Sequence, residues 1–227
     1  AGVRAVPTYE SAGLYYSNPG SAGSAGCAVQ FRQQGDNAWR QGLALWYDSS
    51  TNECRGSLVQ LTPGATYEAQ VTAPAGQKSV TFTTWSNQYP VARTVKVNSQ
   101  SGTYDISQGG SAGGYVVYDG SGATIDGGTY NVTINASYVV VRGLTLKNAA
   151  QHGILINPNV HDVIVEDNDI SNWGRTRDGT WGTDMDSAVR AICRNEELVR
   201  TTIQRNKMHD PRYSANSWTD GHPAGPQ

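Results

Sequence analysis

Residues 138–172 read YVVVRGLTLKNAAQHGILINPNVHDVIVEDNDISN and contain one pattern twice. Residues 141–148 (VRGLTLKN) return as residues 165–172 (VEDNDISN), and residues 203–210 (IQRNKMHD) are a looser third copy. Apolar residues fall at matching places, polar ones lie between them, and Asn or Asp ends each unit. Apolar residues at every second position, many of them β-branched, are typical of strands rather than helices. Because so small a unit cannot bury its own apolar face, we expect the copies to stack on one another.

The stacked pattern resembles the rungs of right-handed parallel β-helices of the pectate-lyase-like superfamily. The resemblance covers residues 91–227 and implies a coil whose turns each form three short strands. The resemblance predicts the fold but not the activity, because lyases, hydrolases, epimerases and inert adhesins all share this coil. The alternative fold is an antiparallel β-sandwich with accidental self-similarity, although no hairpin turn joins the copies.

The first third of the chain has a different pattern. Residues 1–88 contain several candidate strands separated by Gly, Pro, Ser and Asn. Residues 61–64 (LTPG) followed by Tyr67 resemble the fibronectin type III signature, in which the Tyr bonds back across the turn as a brace. We therefore predict an all-β chain, with a fibronectin type III-like β-sandwich over residues 1–88 and a right-handed parallel β-helix over residues 89–227.

The last residues, 221–227 (GHPAGPQ), read as a loop that leads into another strand. Nothing after Asp210 resembles a capping helix or a polar terminal rung. An open β-helix end exposes strand edges and invites aggregation. We therefore expect the β-helix to be incomplete at Gln227 and to be completed by a further segment or a second chain.

The first domain is rich in aromatic residues for its size. Sugars bind to exposed aromatic faces through their apolar C–H surfaces, so a carbohydrate-binding role is one interpretation, and a spacer or cap is the other. Strand alternation places neighbouring side chains on opposite faces, so at least one residue of the pair Trp46 and Tyr47 should fill the core. The aromatic residues in question are Trp39, Trp46, Tyr15, Tyr16 and Tyr47.

Composition and cysteine content limit the class of protein. Charged residues make up 16% of the chain and the formal net charge is -2, so no basic excess indicates nucleic acid, and no long apolar run indicates a membrane span. The sequence begins at Ala1 without a hydrophobic leader, so we expect a mature secreted form, extracellular or periplasmic. In such a compartment a disulfide between Cys27 and Cys54 is favoured over two thiols. Cys193 is then either a buried small residue or paired elsewhere.

An insertion interrupts the repeat. The second and third copies are 38 residues apart instead of 24, which leaves 14 extra residues (38 − 24). When residues 153–156 are aligned with residues 188–191, 11 of these precede the aligned strand, within residues 173–187, and 3 follow it. Loops that break a regular scaffold are where function tends to lie.

Carboxylates at the end of this insertion are the first candidates for chemistry. Asp184, Asp186 and Arg190 share one parity, so an extended chain would project all three away from the coil interior. Paired carboxylates can divide the general-acid and base or nucleophile roles at a glycosidic bond, and an adjacent Arg would hold one of them ionised. Alternatively, the two Asp residues cap a turn or pair with Arg190 and Arg175. A third interpretation is a Ca²⁺ site of Asp178, Asp184 and Asp186.

A second cluster lies near the end of the chain. It combines cations, imidazoles and a phenol, which are the groups that a polysaccharide lyase needs. If their faces match, stacked coils would bring Lys207 and His209 close to the rung of Arg190. His209 is otherwise a surface residue that ends a rung, which makes His222 the better candidate. The members are Lys207, His209, Asp210, Arg212, Tyr213, Asp220 and His222.

The sequence thus predicts a secreted polysaccharide-degrading enzyme, with a glycoside hydrolase favoured. We expect no cofactor, except for Ca²⁺ if the third interpretation holds. Neither cluster matches the diagnostic motifs of polygalacturonases or pectate lyases. A polysaccharide lyase using Arg, Lys and His is the first alternative, and a non-catalytic carbohydrate-binding or adhesion module is the second. The catalytic candidates are Asp184, Asp186, Asp220 and His222. The substrate-binding candidates are Arg190, Trp181, Lys207, His209 and Arg212.

Overall fold

A computed structural model describes residues 2–177, 181–183, 185–193 and 199–212, with the backbone alone at Arg177 and Trp181. The chain divides into two compact units, of which the first ends at Tyr89 and the second begins at Pro90. Strands dominate both units, so the predicted all-β class is confirmed. Within the described ranges, no helix has the length and apolar character needed to cross a bilayer.

The first unit is built from two four-stranded antiparallel sheets, with the strand orders β1-β2-β6-β5 and β4-β3-β7-β8. Buried and partly exposed residues alternate along β2 and β7, as expected when one face of each sheet covers a shared core. A short 3₁₀ turn, Gly23–Ala25, precedes β3. The strands are β1 Val3–Pro7, β2 Ser11–Ser17, β3 Ala28–Gln33, β4 Arg40–Gln41, β5 Trp46–Asp48, β6 Glu53–Val59, β7 Thr66–Ala73 and β8 Gly76–Thr83.

Two predicted contacts of this unit are present. The Thr62 N–H donates to Tyr67 Oη at 2.8 Å, and the Tyr67 ring is buried in the core against Phe31 and Phe82. Cys27, just before β3, is bonded to Cys54 in β6, so the disulfide joins the two sheets.

One residue of the pair Trp46 and Tyr47 contributes to the core, and Cys193 lies at the surface. Tyr47 packs against the core while Trp46 faces solvent, which confirms that one of this pair fills the core. Cys193 is an exposed free thiol, so its interpretation as a buried small residue is wrong.

The second unit is a parallel β-solenoid whose strands fall into three parallel sheets. Sheet A has the order β9-β12-β15-β18-β23, sheet B the order β10-β13-β16-β19-β24, and sheet C the order β11-β14-β17-β22. A separate antiparallel pair, β20-β21, lies in the insertion. The strands are β9 Val91–Lys96, β10 Gln100–Ser101, β11 Tyr104–Ile106, β12 Tyr115–Asp119, β13 Thr124–Asp126, β14 Tyr130–Ile134, β15 Val139–Arg142, β16 Thr145–Lys147, β17 His152–Ile156, β18 Val163–Glu166, β19 Asp169–Ser171, β20 Thr176–Arg177, β21 Trp181–Gly182, β22 Val189–Ala191, β23 Thr201–Gln204 and β24 Lys207–His209.

The register of the solenoid confirms the predicted repeat. Val141 lies beside Val165, which lies beside Ile203, so the three copies stack position by position. Leu155 lies beside Arg190, as the alignment across the insertion requires. Like apolar residues therefore form columns inside the coil, and those columns make up its core, although Ile203 at the end of this column is 42% exposed.

The Asn and Asp residues that end each unit have a conformational role. Asn148, Asn172 and Asp210 follow successive strands of sheet B, and their φ angles are 60°, 52° and 49°. This is the left-handed region, which Asn and Asp tolerate better than other residues with a side chain. The chain turns there in every rung, which accounts for the recurring Asn or Asp.

Candidate functional site

The insertion leaves the solenoid after β19 and returns to it at β22. It begins at Trp173, whose side chain is buried in the solenoid core, and it continues into the β20-β21 hairpin, where Thr176 lies beside Gly182. Ala188, at its end, is buried in the same core. Both ends of the insertion are therefore attached to the regular coil.

A buried ion pair joins the two ends of the insertion. Arg175 donates from Nε to Asp186 Oδ2 at 3.0 Å and from Nη2 to Oδ1 at 2.8 Å, and its backbone N–H donates to Oδ2 at 2.8 Å. The Asp186 side chain is fully buried, whereas that of Arg175 is half exposed. The hydrogen bond to Asp186 raises the pKa of Arg175. Asp186 is therefore not on a solvated face, and the alternative interpretation, in which it pairs with Arg175, is confirmed.

His152 is a neighbour of this pair that the sequence analysis missed. Its ring is buried and stacks on Tyr130, with 5.4 Å between centroids, and its Nδ1 accepts the Ser187 N–H at 3.1 Å. Burial lowers the pKa of His152 to about 4, although the Asp186 charge opposes this shift. The ring is therefore neutral at pH 7 with its proton on Nε2. The one signal in the sequence was that Tyr130 and His152 occupy matching positions of neighbouring rungs.

Arg190 is tied to the end of the insertion. It lies in β22 at the position predicted for it, and its Nη1 donates to the Met185 carbonyl at 2.8 Å. Ser187 Oγ donates to the same carbonyl at 3.0 Å. Arg190 thus fixes the segment that carries Asp186.

Lys207 and His209 lie on another side of the coil. Both belong to β24 of sheet B, whereas Arg190 belongs to sheet C. The conditional expectation that they share a face with Arg190 is therefore wrong, because successive strands of a rung enter different sheets.

Two carboxylates surround the His209 ring. Its Nε2 lies 2.8 Å from Asp169 Oδ1 and its Nδ1 lies 2.7 Å from Asp210 Oδ2. The hydrogen bonds to Asp210 and Asp169 raise the pKa of His209. They favour the charged imidazolium, which donates from both nitrogens and cannot accept a proton. Arg212 makes local contacts, from its backbone N–H to the Trp173 carbonyl and from Nη2 to the Asn172 carbonyl.

Sheet B differs from the other two sheets in its outward face. In the middle rungs, several outward positions of sheets A and C are buried, for example Val140 and Ile164 in sheet A and Leu155 in sheet C, whereas Arg142 and Arg190 are partly exposed. In β13, β16, β19 and β24 every outward side chain is partly or fully exposed. These side chains form two columns, Thr124, Thr145, Asp169 and Lys207 in one and Asp126, Lys147, Ser171 and His209 in the other.

Ion pairs run along this open face. Lys147 Nζ lies 3.3 Å from Asp126 Oδ2, and Lys207 Nζ lies 3.5 Å from Asp169 Oδ2. A hydrogen bond from Asn148 lowers the pKa of Asp126, and one from His209 lowers the pKa of Asp169. Both carboxylates therefore stay ionised at neutral pH, and the face carries charges of both signs.

Several predicted site residues lie outside the described residues, namely Asp178, Asp184, Tyr213, Asp220 and His222, and the side chain of Trp181 is not described either. The described residues contain no group of three His, Cys, Asp or Glu side chains that could hold a metal ion. The Ca²⁺ interpretation depended on Asp178 and Asp184 and stays a prediction.

Cations also bind the other carboxylates that the structure describes on the solenoid. Asp119 pairs with Arg142, Asp162 with Arg200, and both Glu166 and Asp167 pair with Arg205. The exception is Asp105, which accepts a hydrogen bond from Thr133. Two cation-free carboxylates that face each other across a groove, as a hydrolase needs, are absent from the described part of the coil.

No protein-family model matches this chain, and no curated protein matches it either. Fold and geometry define a two-unit all-β protein, with sandwich-like antiparallel sheets followed by a short parallel β-solenoid that carries one anchored insertion.

Proposed function

We propose that this chain is a secreted polysaccharide-binding protein that holds an extended sugar chain along the outward face of sheet B. The observation that carries the proposal is the exposure of this face, where two columns of hydroxyl, carboxylate and ammonium groups run across the rungs. Successive strands lie about 4.8 Å apart, so polar groups recur at regular intervals along a straight line. A ligand with hydroxyl groups at regular intervals can bond to such a line with charge-assisted hydrogen bonds.

Two further features support this class of protein. The Tyr67 brace and the paired sheets of the first unit resemble a fibronectin type III domain, and the solenoid resembles right-handed pectate-lyase-like β-helices. The disulfide between Cys27 and Cys54 supports an oxidising compartment, which fits secretion or the periplasm.

Hydrolysis of the bound polysaccharide is the second candidate function. The anchored insertion favours it, because a buried Arg175–Asp186 pair fixes a segment that the regular coil does not need. We assign Asp186 a positioning role and propose Asp184 and Asp220 as the carboxylates. The lyase alternative has less support, since His209 is held as a donor between two carboxylates.

Binding is tested on the whole chain by affinity electrophoresis in gels containing a panel of polysaccharides. We expect the double variant Lys147→Ala, Lys207→Ala to bind the retained polysaccharide about tenfold more weakly, since each lysine can donate charge-assisted hydrogen bonds. Lys96→Ala is the control, because Lys96 is an exposed lysine in sheet A. Equal retardation of the double variant and the wild type would contradict the proposal.

Cleavage is tested by following reducing ends and the absorbance of unsaturated products on the same panel. If hydrolysis occurs, Asp184→Asn should lower its rate at least ~10²-fold with an unchanged unfolding midpoint. Asp186→Asn should lower the unfolding midpoint as well, because it weakens a buried ion pair. Binding without either product leaves the non-catalytic function, and full activity in Asp184→Asn excludes that residue as a catalytic carboxylate.

A further inference from the structure

The two sheets of the first unit have unlike outward faces. On the sheet β4-β3-β7-β8, outward polar groups bond to one another, as between Gln30 and Gln70 at 2.7 Å and between Arg32 and Glu68 at 2.8 Å. On the sheet β1-β2-β6-β5, apolar and aromatic groups face solvent instead. The exposed fractions of Val6, Trp46 and Val59 are 43%, 62% and 54%. Trp46 is the most exposed of the three and is the aromatic one among them.

A row of alternating cations and aromatic rings crosses all four strands of this face. Arg4 in β1 lies beside Tyr15 in β2, Tyr15 beside Arg55 in β6, and Arg55 beside Trp46 in β5. The Arg4 guanidinium lies 4.1 Å from the Tyr15 ring centroid, and that of Arg55 lies 5.8 Å from the Trp46 ring. We call these four residues the Trp46 row. It spans three inter-strand spacings, or about 14 Å.

We propose that the Trp46 row binds an acidic oligosaccharide, with the apolar C–H face of one sugar on Trp46 and a sugar carboxylate on Arg4. This second sugar site lies on the other unit and does not depend on the sheet B proposal. The length of the row requires an oligosaccharide, because a single sugar ring cannot reach from Trp46 to Arg4.

A glycine beside the row fixes the position of the Tyr15 ring. Gly13 neighbours Tyr15 on β2, and a Cβ atom there would lie 3.2 Å from Tyr15 Cε2. The missing side chain lets the Tyr15 ring lie close to the sheet. Across the strand, Gly13 lies beside Ser57, which is also small. The Tyr15 ring therefore lies over Gly13 and keeps its place beside Arg4 in the row.

The charges of the row favour an acidic ligand over a neutral one. Asp48 forms an ion pair with Arg55, which compensates that guanidinium. Arg4 is an exposed residue for which the described part of the chain supplies no carboxylate partner. Its guanidinium can take a carboxylate through two parallel hydrogen bonds. The Tyr15 ring holds it in place for that contact.

The test is calorimetric titration of the full chain with oligogalacturonate and with cello-oligosaccharide of equal length. We expect oligogalacturonate to bind more tightly, Trp46→Ala to weaken that binding at least tenfold, and Arg4→Gln to reduce the preference for the acidic ligand. Trp39→Ala is the matched control. Trp39 also lies against an arginine, but that residue, Arg32, belongs to the other sheet. The sheet B variant Lys147→Ala, Lys207→Ala separates the two proposed sites.

Affinity lost in Trp46→Ala and Arg4→Gln, but kept in Trp39→Ala and in the sheet B variant, supports the proposal. It is overturned if oligogalacturonate does not bind, if binding survives Trp46→Ala unchanged, or if only the sheet B variant loses it. Equal affinity for the neutral oligosaccharide overturns the assignment of Arg4. Unfolding midpoints check that each variant is folded, and Arg4→Gln, on a different strand, tests the same row should Trp46→Ala fail to fold.

Discussion

At single positions, the solenoid uses polar side chains as internal ties. Asp186 is buried and receives three hydrogen bonds from Arg175, and Asn131 is buried and donates to three backbone carbonyls, those of Ile125, Gly127 and Lys147. These hydrogen bonds offset the cost of burying both side chains, although no described residue bonds to Asn131 Oδ1. Such residues attach irregular segments and neighbouring rungs to one another, and their burial leaves them no direct role at the surface.

His152 should make stability depend on pH. Its pKa is about 4 in the folded chain against 6.5 for a free imidazole, so between pH 6.5 and pH 4 the unfolded chain binds more protons. Stability therefore falls as pH drops through this window, by up to about 3 kcal/mol. Urea unfolding of the wild type and of His152→Gln at pH 4 to 7.5 measures the effect, and the variant should show a flatter pH dependence.

His209 supplies the comparison of opposite sign. Its pKa is raised, so its stabilising contacts are present at low pH and are lost as pH rises through the folded pKa. Its exposure makes the effect smaller. The variant His209→Gln should therefore still lose stability as the pH falls from 6.5 to 4, as the wild type does. An unchanged slope in His152→Gln would show that another group causes the loss of stability.

Among strands and turns, two devices maintain the register. In the solenoid, Asn148, Asn172 and Asp210 adopt positive φ at the end of sheet B strands and turn the chain at the same place in each rung. In the first unit, the Tyr67 hydroxyl fixes the turn before β7, and the disulfide joins β6 to the start of β3. Turns and cross-links thus position strands whose alternation alone would allow sliding.

Removing the disulfide should destabilise the first unit. Cys27 and Cys54 are 27 residues apart, and closing a loop of this size is worth roughly 3–4 kcal/mol in the chain-entropy model. The double variant Cys27→Ser, Cys54→Ser should lower the thermal unfolding midpoint of this unit, which calorimetry measures. Cys193→Ser is the control, because that thiol is exposed and unbonded. Equal midpoints for both variants would show that the sandwich core alone sets stability.

For the whole molecule, each unit has its own hydrophobic core and presents its own proposed sugar-binding surface. The solenoid offers the polar columns of sheet B, and the first unit offers the Trp46 row. Two surfaces on one chain can raise affinity for a long polymer without any new contact, provided that one polymer reaches both. Long polysaccharides should therefore be bound more tightly than short ones.

The repeat and its register could be predicted from residues 138–172, because stacked parallel strands need the same residue types at the same positions. Counting residues also located the insertion, and the Leu-x-Pro-Gly turn located the Tyr67 brace. These features depend on short-range patterns that a linear sequence displays directly.

The burial of Asp186, the separation of Arg190 from His209, and the exposure of sheet B were not predictable in this way. Strand parity assigns a face only while the chain is regular, and the insertion ends that regularity before Asp186. There, hydrogen bonds from Arg175, eleven positions earlier, decide where the carboxylate lies. Which outward positions of the coil are buried depends on contacts between residues that are far apart in the sequence, and only the three-dimensional fold sets those contacts.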